Sequence, residues 1–138
     1  MVQVFVFRLA VEPIIARMAS GKRTEEDLAR IEECLARNEV AIKEKDLISI
    51  ISSELEFDTI LTAAVGNEFL SDSISTIHRY MHRFLTLSTT TYADALGSIE
   101  EHRMIFDAIR EKDGKEAEKR TLYHIRQVAG RLNYKLPI

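Results

Sequence analysis

Residues 47–66 read LISIISSELEFDTILTAAVG. At about 100° per residue, Leu47, Ile50, Ile51, Leu55, Phe57, Leu61, Ala64 and Val65 fall on one broad arc, the period of an amphipathic helix. Gly66 then reads as the helix stop. Near the middle of the same arc lie Glu54 and Asp58, one turn apart, with Cβ atoms roughly 5–6 Å from each other, whereas Glu56 projects to solvent. Two like charges aimed at a core without partners would cost several kcal/mol, so a cation must compensate them or one must be protonated.

Similar segments lie on either side. Turn signals fall at Ser20-Gly21-Lys22, Lys45-Asp46, Gly66-Asn67, Ser88 to Thr91 and Asp113-Gly114, and the stretches between them suit helices and are too long for strands. Thr24-Glu25-Glu26-Asp27 has the form of a capped helix start. The expected fold is therefore all-α, an antiparallel bundle of about six helices with an internal metal or ligand pocket. Val2 to Phe7 would pass for a strand on pattern alone. A lone strand has no partner here, so it is read as the start of the first helix. Pro13 inside that helix predicts a kink or a late start.

A chain of 138 residues forms one domain with room for a proper core. Apolar residues are 46% and charged residues 30% of the chain, which excludes a disordered or low-complexity segment. The net charge is −3, and no basic run exceeds Lys119-Arg120, so this piece lacks the footprint of a nucleic-acid binder. The single cysteine, Cys34, excludes an internal disulfide and zinc-finger spacing. No stretch reaches the roughly 20 apolar residues that span a bilayer, and no secretory leader is evident. Cytoplasmic location is expected.

Three further helices also carry polar groups toward the core. His102 sits at the centre of the arc of Ala95, Ile99, Ile105, Phe106 and Ile109, and His124 at the edge of the arc of Ala117, Ile125, Val128 and Leu132. A hairpin at Asp113-Gly114 brings these histidines level, each about 15–16 Å from the bend. Arg8 is central among Val4, Phe5, Val11 and Ile15, with Glu12 one turn on. His78, 12 residues after Gly66, and Glu54, 12 before it, become neighbours across an antiparallel pair. Two carboxylates and two imidazoles aimed at one core are the donor types of a divalent cation site. Taken singly, each has a plainer reading: a hydrogen-bonded core histidine, or an Arg8–Glu12 ion pair. No Gly-rich phosphate loop, nucleophile elbow or His-Glu-x-x-His motif occurs.

The ordered features resemble a known family. Arg8-x-x-x-Glu12-Pro13, Arg23-Thr24-x-x-Asp27-Leu28, Glu54-x-x-Phe57-Asp58, Gly66-Asn67-x-x-Leu70, His102-Arg103-x-Ile105-x-x-Ala108-Ile109, and Ala117 followed by His124-Ile125 are together similar to the FCD domain. That is the effector-binding domain of FadR-type GntR-family bacterial transcription regulators. The resemblance covers essentially the whole chain. It implies a helical bundle enclosing a metal and a small organic acid, homodimerisation, and a winged helix-turn-helix that alone contacts DNA and lies outside residues 1–138.

The family's metal pattern is Asp-x-x-x-His followed by two single histidines. Carried over by position, Glu54 stands for the Asp, Asp58 for the first His, and His102 and His124 match the others. The implied ion is Zn²⁺, Ni²⁺ or Mn²⁺, with Arg8 and His78 placed to bind the effector. Two carboxylates formally neutralise such an ion and Arg8 adds one positive charge, so a monoanionic effector is expected. Two other readings stay open: a metal-dependent enzyme with His78 as base, and a metal-free helical dimerisation module.

Overall fold

In the computed structural model, which describes residues 1–88 and 92–138, helices meet at the turn signals Lys45-Asp46, Gly66-Asn67 and Asp113-Gly114, whereas Ser20-Gly21-Lys22 form the last turn of the first helix and the bend follows at Arg23-Thr24. The helices are α1 (Val2–Lys22), α2 (Glu25–Glu44), α3 (Leu47–Val65), α4 (Glu68–Leu87), α5 (Tyr92–Arg110) and α6 (Gly114–Arg131). No strand occurs among the described residues. The all-α expectation stands, and Val2 to Phe7 belong to α1. Pro13 lies inside α1, which does not start late. Its missing N–H leaves the Leu9 carbonyl without its intrahelical donor. Of the turn signal at 88–91, Ser88 caps α4 and the remainder lies outside the described residues.

Local chemistry sets these boundaries. The Thr24 hydroxyl accepts the Asp27 N–H at 3.1 Å while the Asp27 carboxylate accepts the Thr24 N–H at 2.9 Å, a reciprocal cap for α2. Asp46, Asn67 and Asp113 accept the backbone N–H of Ser49, Leu70 and Glu116 at the starts of α3, α4 and α6. Gly66 ends α3 in the left-handed region, φ 73°, where a side chain would strain the backbone. Arg23, at the α1–α2 bend, donates to the carbonyls of Ile109 and Arg110 at 3.3 and 2.6 Å. It thereby satisfies orphan acceptors at the end of α5.

α1 packs against α6 and α3, α2 against α3, α3 against α4, and α5 against α6. The core has two large clusters and a small third one of Ala41, Ile50 and Ala95. One large cluster includes Ile15, Ala16, Ile31, Leu35, Phe57, Leu61, Ile105, Ile109 and Ala117. The other holds Phe5, Leu9, Ile51, Met81, Leu85, Ile125 and Ala129, with the Tyr134 ring 5.9 Å from Phe5 and 5.8 Å from Phe84. On α1, α3 and α6 the polar residues identified above lie where the two large sets meet. The bundle is thus apolar at both ends and charged across its middle.

Phe57 has no exposed surface and lies parallel to the His102 ring, with centroids 4.2 Å apart at 9°. Phe57→Ala should lower unfolding free energy by about 3–5 kcal/mol, read from urea melts, and release the His102 ring.

Candidate functional site

Between the two apolar clusters is a cavity of about 40 Å³ lined by Arg8, Glu54, Asp58, His102 and His124, which is room for roughly two or three waters. Four helices supply these five groups, so five of the six side chains singled out in the sequence face one space. His78 does not line it. It lines an outer groove of about 530 Å³ between α3 and α4, and its ring reaches inward to Asp58, 3.7 Å away, rather than to Glu54. Side chains lean toward their own helix N-terminus. His78 on α4 therefore leans toward the bend, and Asp58, one turn nearer that bend than Glu54, is what it meets.

His102 and His124 come together as the hairpin geometry predicts, with their Nε2 atoms 3.1 Å apart. Burial, and then the neighbouring His124, bring the His102 imidazole down to about 3, so it is a neutral ring at physiological pH. Phe57 fixes its plane.

Arg8 is 3% exposed and holds Glu12 in a two-bond fork, Nε–Oε1 2.7 Å and Nη2–Oε2 3.1 Å. The same Nη2 is 3.8 Å from Asp58 Oδ2. Arg8 therefore faces the cavity already engaged by two carboxylates, and the unpaired positive charge expected of it is not there. Burial pushes the Asp58 carboxyl up, but His78 and Arg8 more than offset this and hold it below the usual carboxylate range. Glu54 has less help: burial outweighs Arg131 and Arg8, and its carboxyl is pushed up to about 8. At neutral pH it is mainly protonated, one of the two outcomes that the α3 arc demanded.

Four further polar residues of the site, Asp94, Ser98, Glu101 and Arg131, escaped the sequence reading. Glu101 Oε1 lies 2.7 Å from His124 Nδ1, Arg131 grips both Glu101 oxygens at 2.8 Å, and Arg131 also reaches Ser98 Oγ at 3.0 Å. Burial opposes the charge on Glu101, yet Arg131 and His124 prevail and bring its carboxyl down to about 2. On a helical projection Glu101 sits 100° from His102, at the rim of the arc, and a rim Glu reads as solvated. Only the crossing of α6 covers it.

The donor types fit a divalent cation in part. An N···N distance near 3.1 Å matches the edge of a coordination polyhedron with bonds of about 2.1 Å. The carboxylate behind His124 is the usual support for a ligating imidazole. Glu54 and Asp58 share the cavity, but among the described residues no three His, Cys, Asp or Glu side chains are grouped to hold an ion as they stand. Cys34 plays no part: its buried thiol donates to the Ser53 carbonyl at 3.2 Å, and burial pushes it up to about 12.

Glu54 gives the site a pH signature. A carboxyl raised from 4.5 to about 8 on folding binds its proton more tightly in the native state, so stability falls as pH rises through that window and is unaffected below it. In chelator-treated protein, Glu54→Gln should be close to the parent at pH 5 and exceed it at pH 9 by about 4 kcal/mol, measured by urea unfolding at both values.

Residues 3–127 match the FCD domain family. The chain is 32% identical over 128 residues to the galactonate operon transcriptional repressor of Escherichia coli K12, covering 91% of this chain and 54% of that protein. It is 29% identical over 127 residues to the HTH-type transcriptional repressor NanR of Cronobacter sakazakii, covering 88% of this chain and 46% of that one. It thus spans about half the length of the curated relatives it matches. Among solved structures, Streptococcus agalactiae GntR superposes with a TM-score of 0.82 at 28% identity, covering 94% of this chain and 58% of that chain. E. coli McbR/YncC, with a TM-score of 0.86 over 95% of this chain and 63% of that one, shares the fold at 20% identity. With six helices in this arrangement and a family match along nearly its whole length, the chain belongs to the FCD domain family, and the proteins it resembles are GntR-family transcriptional repressors.

Proposed function

We propose that this chain is the effector-sensing domain of a GntR-type repressor, taking a small organic acid into the mid-bundle cavity and passing the change to a DNA-binding domain. The observation that carries this reading is the convergence of two imidazoles, two carboxyls and a guanidinium from four helices on one cavity inside an otherwise apolar bundle. Nothing about burying apolar surface needs them there. His102 and His124 would hold a divalent ion, with Glu54 and Asp58 the carboxylates beside them. When bound, that ion supplies open positions for a carboxylate or hydroxyl of the effector. Arg8 and Asp58 orient the ligand, His78 supports Asp58 from the groove side, and the flexible Met81 on the cavity wall is the side chain most able to yield to a ligand larger than a few waters.

With Arg8 and Arg131 engaged by acids, the interior has no surplus positive charge, and this favours a monoanion over a di- or trianion. A monobasic hydroxy acid is the class we infer, in keeping with the galactonate operon named for one relative. The relatives are transcriptional regulators, and this supports a sensor over an enzyme. We also infer a cytoplasmic homodimer. No helix among the described residues is long and apolar enough to cross a membrane. Exposed Phe69, Tyr80 and Leu87 of α4 share one helical face, an apolar stripe suited to a second copy. The metal-free reading is favoured by one observation, the lack of any ready group of three ligands.

Elemental analysis and calorimetry decide between the two. One Zn²⁺, Ni²⁺ or Mn²⁺ per chain, a melting temperature lowered by chelator, and loss of that difference in His124→Ala are expected. No bound metal and a chelator-insensitive melt would leave the metal-free sensor. Monocarboxylates should bind more tightly than dicarboxylates, read by calorimetry.

A further inference from the structure

Behind His124, a line of fixed side chains leads away from the cavity. Glu101 is 8% exposed, and its Oε1 lies 2.7 Å from His124 Nδ1. The Arg131 guanidinium closes on Glu101 with Nη1–Oε2 2.8 Å and Nη2–Oε1 2.8 Å, a bidentate fork that a lysine cannot reproduce. Its Nη2 also donates to Ser98 Oγ at 3.0 Å. α5 makes room for this: a Cβ at Gly97 would stand 3.1 Å from Arg131 Nη1. Gly97, Ser98 and Glu101 form one notch on α5 into which the α6 arginine lies.

This arrangement has a direction. An ionised carboxylate accepts and cannot donate, so the proton of the Glu101–His124 bond resides on His124 Nδ1. In a neutral ring the Nε2 atom then carries the lone pair. That lone pair faces His102 Nε2 at 3.1 Å, and one of the two nitrogens must hold the proton between them, so His102 Nε2–H donates. We propose that Glu101, braced by Arg131 in the Gly97 notch, is a positioning residue that holds a proton on His124 Nδ1 and leaves its Nε2 as the lone-pair atom that faces His102 at the cavity. The use of that lone pair as a cation ligand rests on the function proposed above. The tautomer itself does not.

The test separates the two. Long-range ¹H–¹⁵N spectra of the full chain, chelator-treated at pH 8, should show protonated Nδ1 and bare Nε2 for His124, and the reverse for His102. Zn²⁺ alone is then titrated by calorimetry. In Glu101→Ala the His124 pattern should move toward Nε2–H, and Zn²⁺ affinity should fall by about 10–100-fold. Glu101→Gln keeps an acceptor oxygen and should keep the tautomer. Arg131→Lys, a mild change at a partly exposed position, should give an intermediate loss and covers the case in which Glu101→Ala does not fold. A bare Nδ1 on His124 in the parent, or an unchanged pattern in both Glu101→Ala and Arg131→Lys, overturns the proposal. The expected tautomers without Zn²⁺ binding in the parent would uphold the positioning role and sink the metal reading instead.

Discussion

Every charge carried into this bundle must find its counter-charge inside it. A lone buried carboxylate or guanidinium costs several kcal/mol, whereas a paired and hydrogen-bonded one can be accommodated. Arg8 meets that demand by serving two acids at once, Glu12 through a fork and Asp58 at 3.8 Å. Arg131 meets it for Glu101. Glu54, which has no partner of its own, meets it by keeping its proton. The rest of the site follows from these three solutions, because they decide which groups facing the cavity are charged and which are neutral.

The apolar clusters on either side of the charged layer make it a site rather than a defect. They surround the polar groups with apolar side chains, so electrostatic differences there are felt more strongly than at a surface. A ligand or ion entering there competes directly with Arg8, Glu12, Asp58 and His78 for partners. Such a network can settle in more than one pairing pattern, which the proposed sensing role would use. α4 contributes Met81 and Leu85 to the cavity wall and packs them against α1 and α6 as well as α3.

Helix content, the approximate helix bends, the cap at Thr24, and the inward direction of Glu54, Asp58, His102, His124 and Arg8 were legible in the residue pattern, because a helix projects side chains at a regular angle and its ends need particular partners. Protonation and pairing were not legible, since they depend on what a second helix brings to within 4 Å. That Arg8 is occupied by Glu12, that His78 meets Asp58 instead of Glu54, and that Glu101 is buried by Arg131 crossing at Gly97 are matters of register and lean between helices. Periodicity along one chain segment contains no information about them. The sequence by itself therefore determined which groups enter the interior; the tertiary structure alone decided which of them face one another, because pairing energy depends on distance and distance belongs to the fold.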